Sequence, residues 1–257
     1  MCGRYASSRR PEDLLEEFEI LAPPAAPALP ADFNVAPTKE VYAVLERPPR
    51  EQEEAPERQL RVLRWGLVPS WAKDPSIGSR MINARSETVA EKPAFRKAFA
   101  VRRCLLPADG YYEWYATSAV TKAGKPVKQP FFIRPRNGGV LAMAGLYEIW
   151  RDPTRADDDP ERFRWTCTVL TTSTEDSLGH IHDRSPLTVT PADRARWLDP
   201  RVSGTDLLDL LVPAAPGLLE AYPVQPLVSN VRNNGPELLE PLPLEGLPDD
   251  VLSEVVP

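Results

Sequence analysis

The chain has little of the material from which metal cages and disulfide frameworks are made: 257 residues contain three cysteines and two histidines. Cys2, Cys104 and Cys167 are odd in number and show no C-x-x-C spacing, which excludes a disulfide framework or a zinc cage as organiser and fits a reducing interior. The histidines stand as His180-Ile-His182. Two imidazoles on one strand face suggest metal ligands, but no second cluster of acids or cysteines completes a set, so neither metal nor cofactor is expected. No apolar run approaches the roughly 18 residues of a spanning helix, and Arg4, Arg9 and Arg10 are followed by no signal-like apolar stretch. A soluble, cytoplasmic protein is expected. A βαβ rhythm, internal repeats and a long flexible linker are also missing, so one domain over residues 1–257 is the simplest organisation.

What is present is an ample apolar fraction, 42%, and a net charge of -6, which speaks against a generally basic nucleic-acid coat. The average conceals an asymmetry. Residues 61–104 carry about ten Lys or Arg against about three acids, whereas the chain after Thr174 is acidic. The basic stretch reads either as a local anion site or as side chains that solvate an exposed face.

Periodicity predicts short elements. Residues 11–20 open with Pro11 at a helical first position, place acids in the first turn and align Leu14, Leu15 and Phe18 on one face, as an amphipathic helix does. The Pro/Ala-rich residues 22–30 read as a loop. Residues 41–45, 60–65, 130–133, 140–147, 164–171 and 187–190 read as strands, with a solvated hairpin loop over 46–59. Residues 93–99 and the segment behind Thr190-Pro191 read as helices. The pattern predicts an α+β fold, a single domain with a largely antiparallel, barrel-like sheet flanked by short helices.

Cys2 follows the initiator methionine and precedes Gly3, a context that favours removal of Met1. The exposed residue would then carry an α-amine and a thiol on adjacent carbons, with ordinary pKa values of roughly 7.7 to 8.0 and 8.5. Such a pair condenses with aldehydes to a five-membered thiazolidine, or hydrolyses amides with the amine as base. Alternatively Cys2 is simply an early strand residue. Three further segments are polar or aromatic where a plain strand would be apolar: Met81-Ile-Asn83-Ala-Arg85-Ser-Glu87, Asp109-Gly-Tyr-Tyr-Glu113-Trp114 and His180-Ile-His182-Asp-Arg184-Ser-Pro186. With Cys2 they supply a nucleophile, a carboxylate, an imidazole and an amide. Taken singly, Asn83 also reads as a turn residue, Glu113 as a surface acid and His182 as a core histidine.

Nine segments, in order, carry a resemblance: Met1-Cys-Gly-Arg-Tyr5, Phe33-Asn-Val-Ala-Pro-Thr38, Arg64-Trp-Gly-Leu-Val-Pro-Ser-Trp71, Ile82-Asn-Ala-Arg-Ser-Glu-Thr88, Arg103-Cys-Leu-Leu-Pro-Ala-Asp-Gly-Tyr-Tyr-Glu-Trp114, Gln129-Pro-Phe-Phe132, Met143-Ala-Gly-Leu-Tyr147, His182-Asp-Arg-Ser-Pro186 and Val231-Arg-Asn-Asn234. The chain resembles the SOS-response-associated peptidase (SRAP) family, proteins that cross-link to abasic sites in single-stranded DNA. The resemblance implies a thiazolidine between Cys2 and the ring-opened sugar, an adduct the site can also reverse, with Asn83, Glu113 and His182 as the other catalytic residues. It assigns His180 no role. It implies DNA contacts from Arg4, Asn34, Pro37, Trp71, Arg80, Arg85, Trp114 and Arg184: phosphates for Arg4, Arg85 and Arg184, and stacking or wedging for Trp71 with Pro37. Core packing is the competing reading for Trp71 and Trp114. The partner implied is abasic single-stranded DNA, including junctions with duplex, engaged by a monomer near the nucleoid. Ser185 departs from the Arg or Met common in the family. A thiol peptidase and a non-covalent strand-binding module are the rival readings, and the basic stretch beside the aromatic candidates favours DNA over peptide.

Overall fold

The two-residue alternation of side chains in the first long hairpin decides how the fold is layered. A computed structural model of the chain describes residues 2–23, 28–47, 56–174, 177–245 and 247–255. After β1 (Tyr5–Ser7), α1 (Pro11–Glu17) and β2 (Asp32–Val35), strands β3 (Glu40–Arg47) and β4 (Glu57–Trp65) pair antiparallel from Glu40–Arg64 to Arg47–Glu57. The strands therefore run into the expected hairpin loop from both sides, and its residues 48–55 lie outside the described ones, as do 24–27 of the Pro/Ala stretch. Val41, Ala43, Leu45, Leu63 and Trp65 face one core, and Tyr42, Val44 and Leu60 face another.

The chain continues through β5 (Asn83–Arg85), α2 (Arg96–Val101), β6 (Arg103–Ala108), β7 (Gly110–Val120), β8 (Pro126–Pro135), β9 (Leu141–Arg151) and β10 (Phe163–Ser173). It ends in β11 (Arg184–Pro186), α3 (Arg194–Leu198), β12 (Leu219–Pro223) and α4 (Asp249–Leu252). β3 pairs with β6, β6 with β9 and β9 with β10, and β10 returns to β4 in parallel at Thr166–Arg64 and Cys167–Trp65. These five strands close into a barrel, which leaves no edge among them. Cys104 and Cys167 are buried, free thiols inside it. β12-β8-β7-β1-β2 form a second, antiparallel sheet whose Tyr5, Val35, Tyr111, Phe131 and Ile133 join the barrel's core. The expected α+β fold with a largely antiparallel, barrel-like sheet is present. No helix among the described residues is long and apolar enough to cross a membrane.

Two elements differ from the sequence reading. α1 stops at Glu17 rather than residue 20, because Glu19 adopts a left-handed φ of 53° and turns Ile20 back into the core. Residues 187–190 do not form a strand; β11 lies just before them. The β9–β10 ladder ends at Val169–Gly145, and Leu187 inserts where the two strands part, donating to Leu170 O and accepting from Ala144 N. A segment shared between two strands makes a ladder with neither.

Gly66 (φ 125°) and Gly78 bring two stretches of backbone into contact. A Cβ on Gly66 would sit 2.6 Å from Gly78 O, so only glycine lets residues 67–81 fold back on the end of β4, beside Asn83.

Arg103 joins the helices to the barrel. It is buried, and its guanidinium donates to the carbonyls of Phe99, Ala100, Trp197, Asp199 and Val202, which lie at the C-terminal ends of α2 and α3 and just beyond. Arg103→Met is expected to lower unfolding stability by roughly 3 to 5 kcal/mol, because it orphans those carbonyls. Arg103→Lys should lose most of the same amount, since an ammonium cannot span the fork. Urea unfolding checks this, and full stability in the lysine variant would show that charge alone suffices.

Candidate active site

The antiparallel register of β1 with β7, Tyr5 opposite Tyr111, is prolonged by a hydrogen bond from Tyr112 N to Arg4 O (2.9 Å). That register directs the start of the chain toward Glu113. Cys2 is wholly buried, in the cluster that holds Tyr5, Trp65 and Cys167. Trp65 stands edge-on to Tyr5 with centroids 5.2 Å apart, and its Nε1 donates to Ile82 O (2.8 Å), which ties the barrel to the residue before Asn83.

Asn83 and His182 both depend on β10. β5 lies parallel to it with Asn83 opposite Val169, and the β10–β11 hairpin pairs Ser173 with Arg184, two residues beyond His182. Asn83 Nδ2 donates to Cys2 O (2.7 Å), while its buried Oδ1 has no partner among the described residues. Glu113 comes from the other sheet and is 4% exposed, so it is not the surface acid that its sequence context also allowed. Burial pushes its carboxyl up to about 7. Burial likewise raises the Cys2 thiol, and the negative charge of Glu113 adds to that rise.

His182 is half-buried, and desolvation lowers its pKa. Its Nδ1 lies 3.0 Å from Arg184 N and 3.0 Å from Asp183 Oδ1, and these contacts ask for opposite protonation. Asp183 is 88% exposed and water-screened, so burial prevails. The neutral ring accepts from Arg184 N–H at Nδ1 and carries its hydrogen on Nε2. Asp183 and Lys128 act on both Glu113 and His182, and the sequence reading singled out neither as a functional residue. Asp183 stands within the His182 segment, and Lys128 directly precedes the Gln129-Pro130 one.

The eight residues implied in DNA contact occupy two settings. Arg4, Asn34 and Trp114 interlock. Arg4 Nη1 donates to Asn34 Oδ1 (2.7 Å) and Val228 O (2.9 Å), its guanidinium lies 5.6 Å from the Trp114 ring centre, and Trp114 Nε1 donates to Ser229 Oγ (3.0 Å). Buried Asn34 also donates to the carbonyls of Val228, Asn230 and Asn233. Arg184 is similarly engaged, with Glu87 in a bidentate pair (2.6 and 3.1 Å) and with Thr171 O. Trp71 is 57% exposed, and Arg80 and Arg85 are exposed with no hydrogen bond or ion pair from their side chains among the described residues. Pro37 is half-exposed and precedes Thr38, whose φ of 74° is strained for a β-branched residue. Ser185 is buried on β11.

Comparison with known proteins bears on the whole chain. The abasic site processing protein YoqW of Bacillus subtilis (strain 168) is 37% identical over 241 residues, 93% of this chain and 99% of that protein. YedK of Escherichia coli (strain K12), of the same description, is 32% identical and covered in full, with 94% of this chain aligned. HMCES of Xenopus tropicalis is 29% identical over 93% of this chain and 78% of its own length. A crystal structure of a Bacteroides thetaiotaomicron protein superposes with a TM-score of 0.77 at 22% identity, covering 94% of this chain and all of that one, a likeness of fold. The family model described as SOS response associated peptidase (SRAP) matches residues 1–231, and the chain belongs to that family.

Proposed function

We propose that this chain recognises abasic sites in single-stranded DNA and cross-links to them through Cys2 once Met1 is removed. The observation that carries this reading is a buried carboxylate with a pKa near neutrality, Glu113, acting on a buried thiol whose backbone carbonyl is held by Asn83. The abasic site processing relatives supply the substrate class. The ring-opened sugar presents C1′ as an aldehyde. Cys2 Nα attacks C1′, the C1′–O bond breaks, water leaves and an imine forms. Sγ then adds to C1′ and the thiol proton ends on nitrogen, closing a five-membered ring of S, C1′, N, Cα and Cβ. One water is released in total, and nothing is oxidised. A raised thiol pKa means that Cys2 enters this second step protonated. Glu113, ionised in about half the molecules near pH 7, takes that proton and passes it on. Nε2–H of His182 serves the sugar oxygen on ring opening, and returns a proton when the adduct reverses. In this reading a monomer suffices, no cofactor enters, residues 1–257 act as one domain, and the protein works in the cytoplasm at the nucleoid.

Cys2→Ala should form no heat-stable adduct with an abasic oligonucleotide, and Cys2→Ser at most a reducible imine. Denaturing gels and intact mass spectrometry read this out. Wild-type adduct from the alanine variant would refute the ring, and equal, dissociable binding to abasic and intact strands would favour a non-covalent module.

Glu113→Gln should slow cross-linking by roughly 10²- to 10⁴-fold and flatten the rise in rate that wild type shows through pH about 7. The same group tests burial. Its folded pKa is raised above 4.5, so it costs stability as pH climbs from 4.5 to about 7, and the cost is constant above that. The glutamine variant should therefore be the more stable at pH 8, by up to about 3 kcal/mol, and match wild type near pH 4.5. Thermal melts across this range check the sign.

Arg80→Gln and Arg85→Gln should each reduce the log-log salt slope of strand binding by about 0.7. Trp71→Ala should lose roughly 1 to 3 kcal/mol with the slope unchanged. Unaltered slopes in both arginine variants would exclude phosphate contact at these positions.

A further inference from the structure

The loop that carries Trp71 leaves the end of β4 and returns to β5, and different groups hold its foot and its tip. At the foot, Gly66 N donates to Cys167 O (2.8 Å), Leu67 N to Met81 O (3.1 Å) and Met81 N to Gly78 O (2.9 Å). With the close approach of Gly66 and Gly78, these bonds fix the stretch that contains Arg80 and leads to Asn83. The tip is the turn over residues 69–72, closed by Ala72 N on Pro69 O (2.9 Å). That bond sets the shape of the turn. Its place on the barrel comes from two side chains of neighbouring strands, each 1% exposed. Thr166 Oγ1 of β10 accepts from Val68 N (2.9 Å), and Trp150 Nε1 of β9 donates to Ala72 O (2.7 Å). The two pins bracket Trp71 in the chain, and its ring is 57% exposed between them.

Trp150 is itself held on two sides. It packs with Val68, Ala72 and Ile77 in a small cluster apart from the two main cores. In the β9–β10 ladder it stands opposite Arg164, whose guanidinium lies 5.5 Å from the ring centre and donates to buried Asp152 Oδ2 (2.7 Å). A phenylalanine would fill the cluster, but the indole adds an N–H aimed at a backbone carbonyl. Asp152, Arg164, Trp150 and Ala72 thus form a chain of contacts that ends one peptide bond from Trp71.

We propose that Trp150 is a positioning residue for Trp71, with Thr166 as the second pin: together they hold the 69–72 turn so that the exposed ring meets a base of the strand already oriented. This rests on the reading of Trp71 as a stacking residue. A ring fixed before the strand arrives loses less freedom on binding than one on a loose turn. Trp150 touches no substrate; it acts through the turn. Its loss weakens stacking and leaves the phosphate contact of Arg80, at the foot of the loop, in place.

The experiment combines strand binding with hydrogen exchange on the full chain. The probe is a single-stranded oligonucleotide with a tetrahydrofuran analogue of the abasic site, which cannot open to an aldehyde, so binding is read without cross-linking. Trp150→Phe should weaken binding by roughly 5- to 10-fold, part of the stacking contribution of Trp71, with the salt slope unchanged. In a Trp71→Ala background the same change should have no further effect, since there is no ring left to misplace. Equal fold losses in both backgrounds would mean a merely structural role and would overturn the proposal. A slope reduced by about 0.7 would also overturn it, because Arg80 would then have moved with the loop as a whole. Exchange is the readout independent of DNA: the Ala72 amide should exchange faster in Trp150→Phe and in Thr166→Val, with the Met81 amide at the foot unchanged. If the Ala72 amide behaves as in wild type in both variants, the pins do not hold the turn and the proposal fails whatever the strand does. If that amide is loosened but Trp71→Ala binds the strand as tightly as wild type, the stacking reading fails and the hold of Trp150 on the turn stands. Thr166→Val removes the other pin and carries the same cycle should Trp150→Phe not fold.

Discussion

Half of the site depends on β10, because its backbone is shared among four partners. It closes the barrel by pairing with β9 and, in parallel, with β4; beyond those ladders it receives β5 and then β11. A strand buried in this way has to satisfy each N–H and C=O with a neighbour, and each neighbour arrives with cargo. β5 brings Asn83, and β11 ends the turn that contains His182. Closure of the barrel thus sets the spacing of two polar groups that lie about a hundred residues apart in the chain. The parallel pairings, unusual in an otherwise antiparallel fold, are what allow a short strand from the 67–81 loop to dock beside the hairpin that follows β10.

The site is built against a stability gradient. A carboxyl at 4% exposure and a thiol at zero are both held where charge is disfavoured, and the negative charge of Glu113 raises the thiol further. A fold selected for stability alone would place an apolar residue at position 113, on a strand whose Tyr111 and Tyr112 are fully packed. What the cost secures, in the proposed chemistry, is a proton acceptor tuned to neutral pH and a sulfur that stays protonated until the imine is in place. An exposed aminothiol would react with any aldehyde. A buried one reacts only with what the surrounding surface admits.

Much of this was legible in the sequence, and the limits have physical causes. Runs of β-branched, aromatic and other apolar residues identified β3, β4, β8, β9 and β10, and β3, β9 and β10 have both faces on cores. Residues 187–190 have the same pattern but lie between two strands, and pattern alone cannot distinguish a ladder from an insertion. Glu113 as a carboxylate among aromatics was visible; its burial was not, since that follows from β7 lying between β8 and β1. Lys128 shapes the charge at the site from a position that sequence order does not connect to His182. Asn34 shows the opposite limit. An asparagine before Val-Ala-Pro reads equally as a ligand contact or a clamp, and only the folded chain reveals three carbonyls of the 228–233 loop around its amide.

Those commitments divide the implied DNA face into an inner and an outer layer. Arg4 cannot leave Asn34 and Val228 without leaving buried acceptors unpaired, and a phosphate at Arg184 would compete with Glu87. The inner residues are therefore suited to fixing the shape of the surface through the 226–234 loop and the Glu87 turn. Arg80, Arg85 and Trp71 have no such obligations, and their charge and ring face are available at low cost. In the proposed function, strand capture by the outer layer and shape discrimination by the inner one would be separable properties. The first is screened by salt, and the second, made of buried hydrogen bonds, is not. In the proposed chemistry, such a surface would hold a strand through exposed charges, and hydrogen-bonded groups would set the position of the reacting carbon.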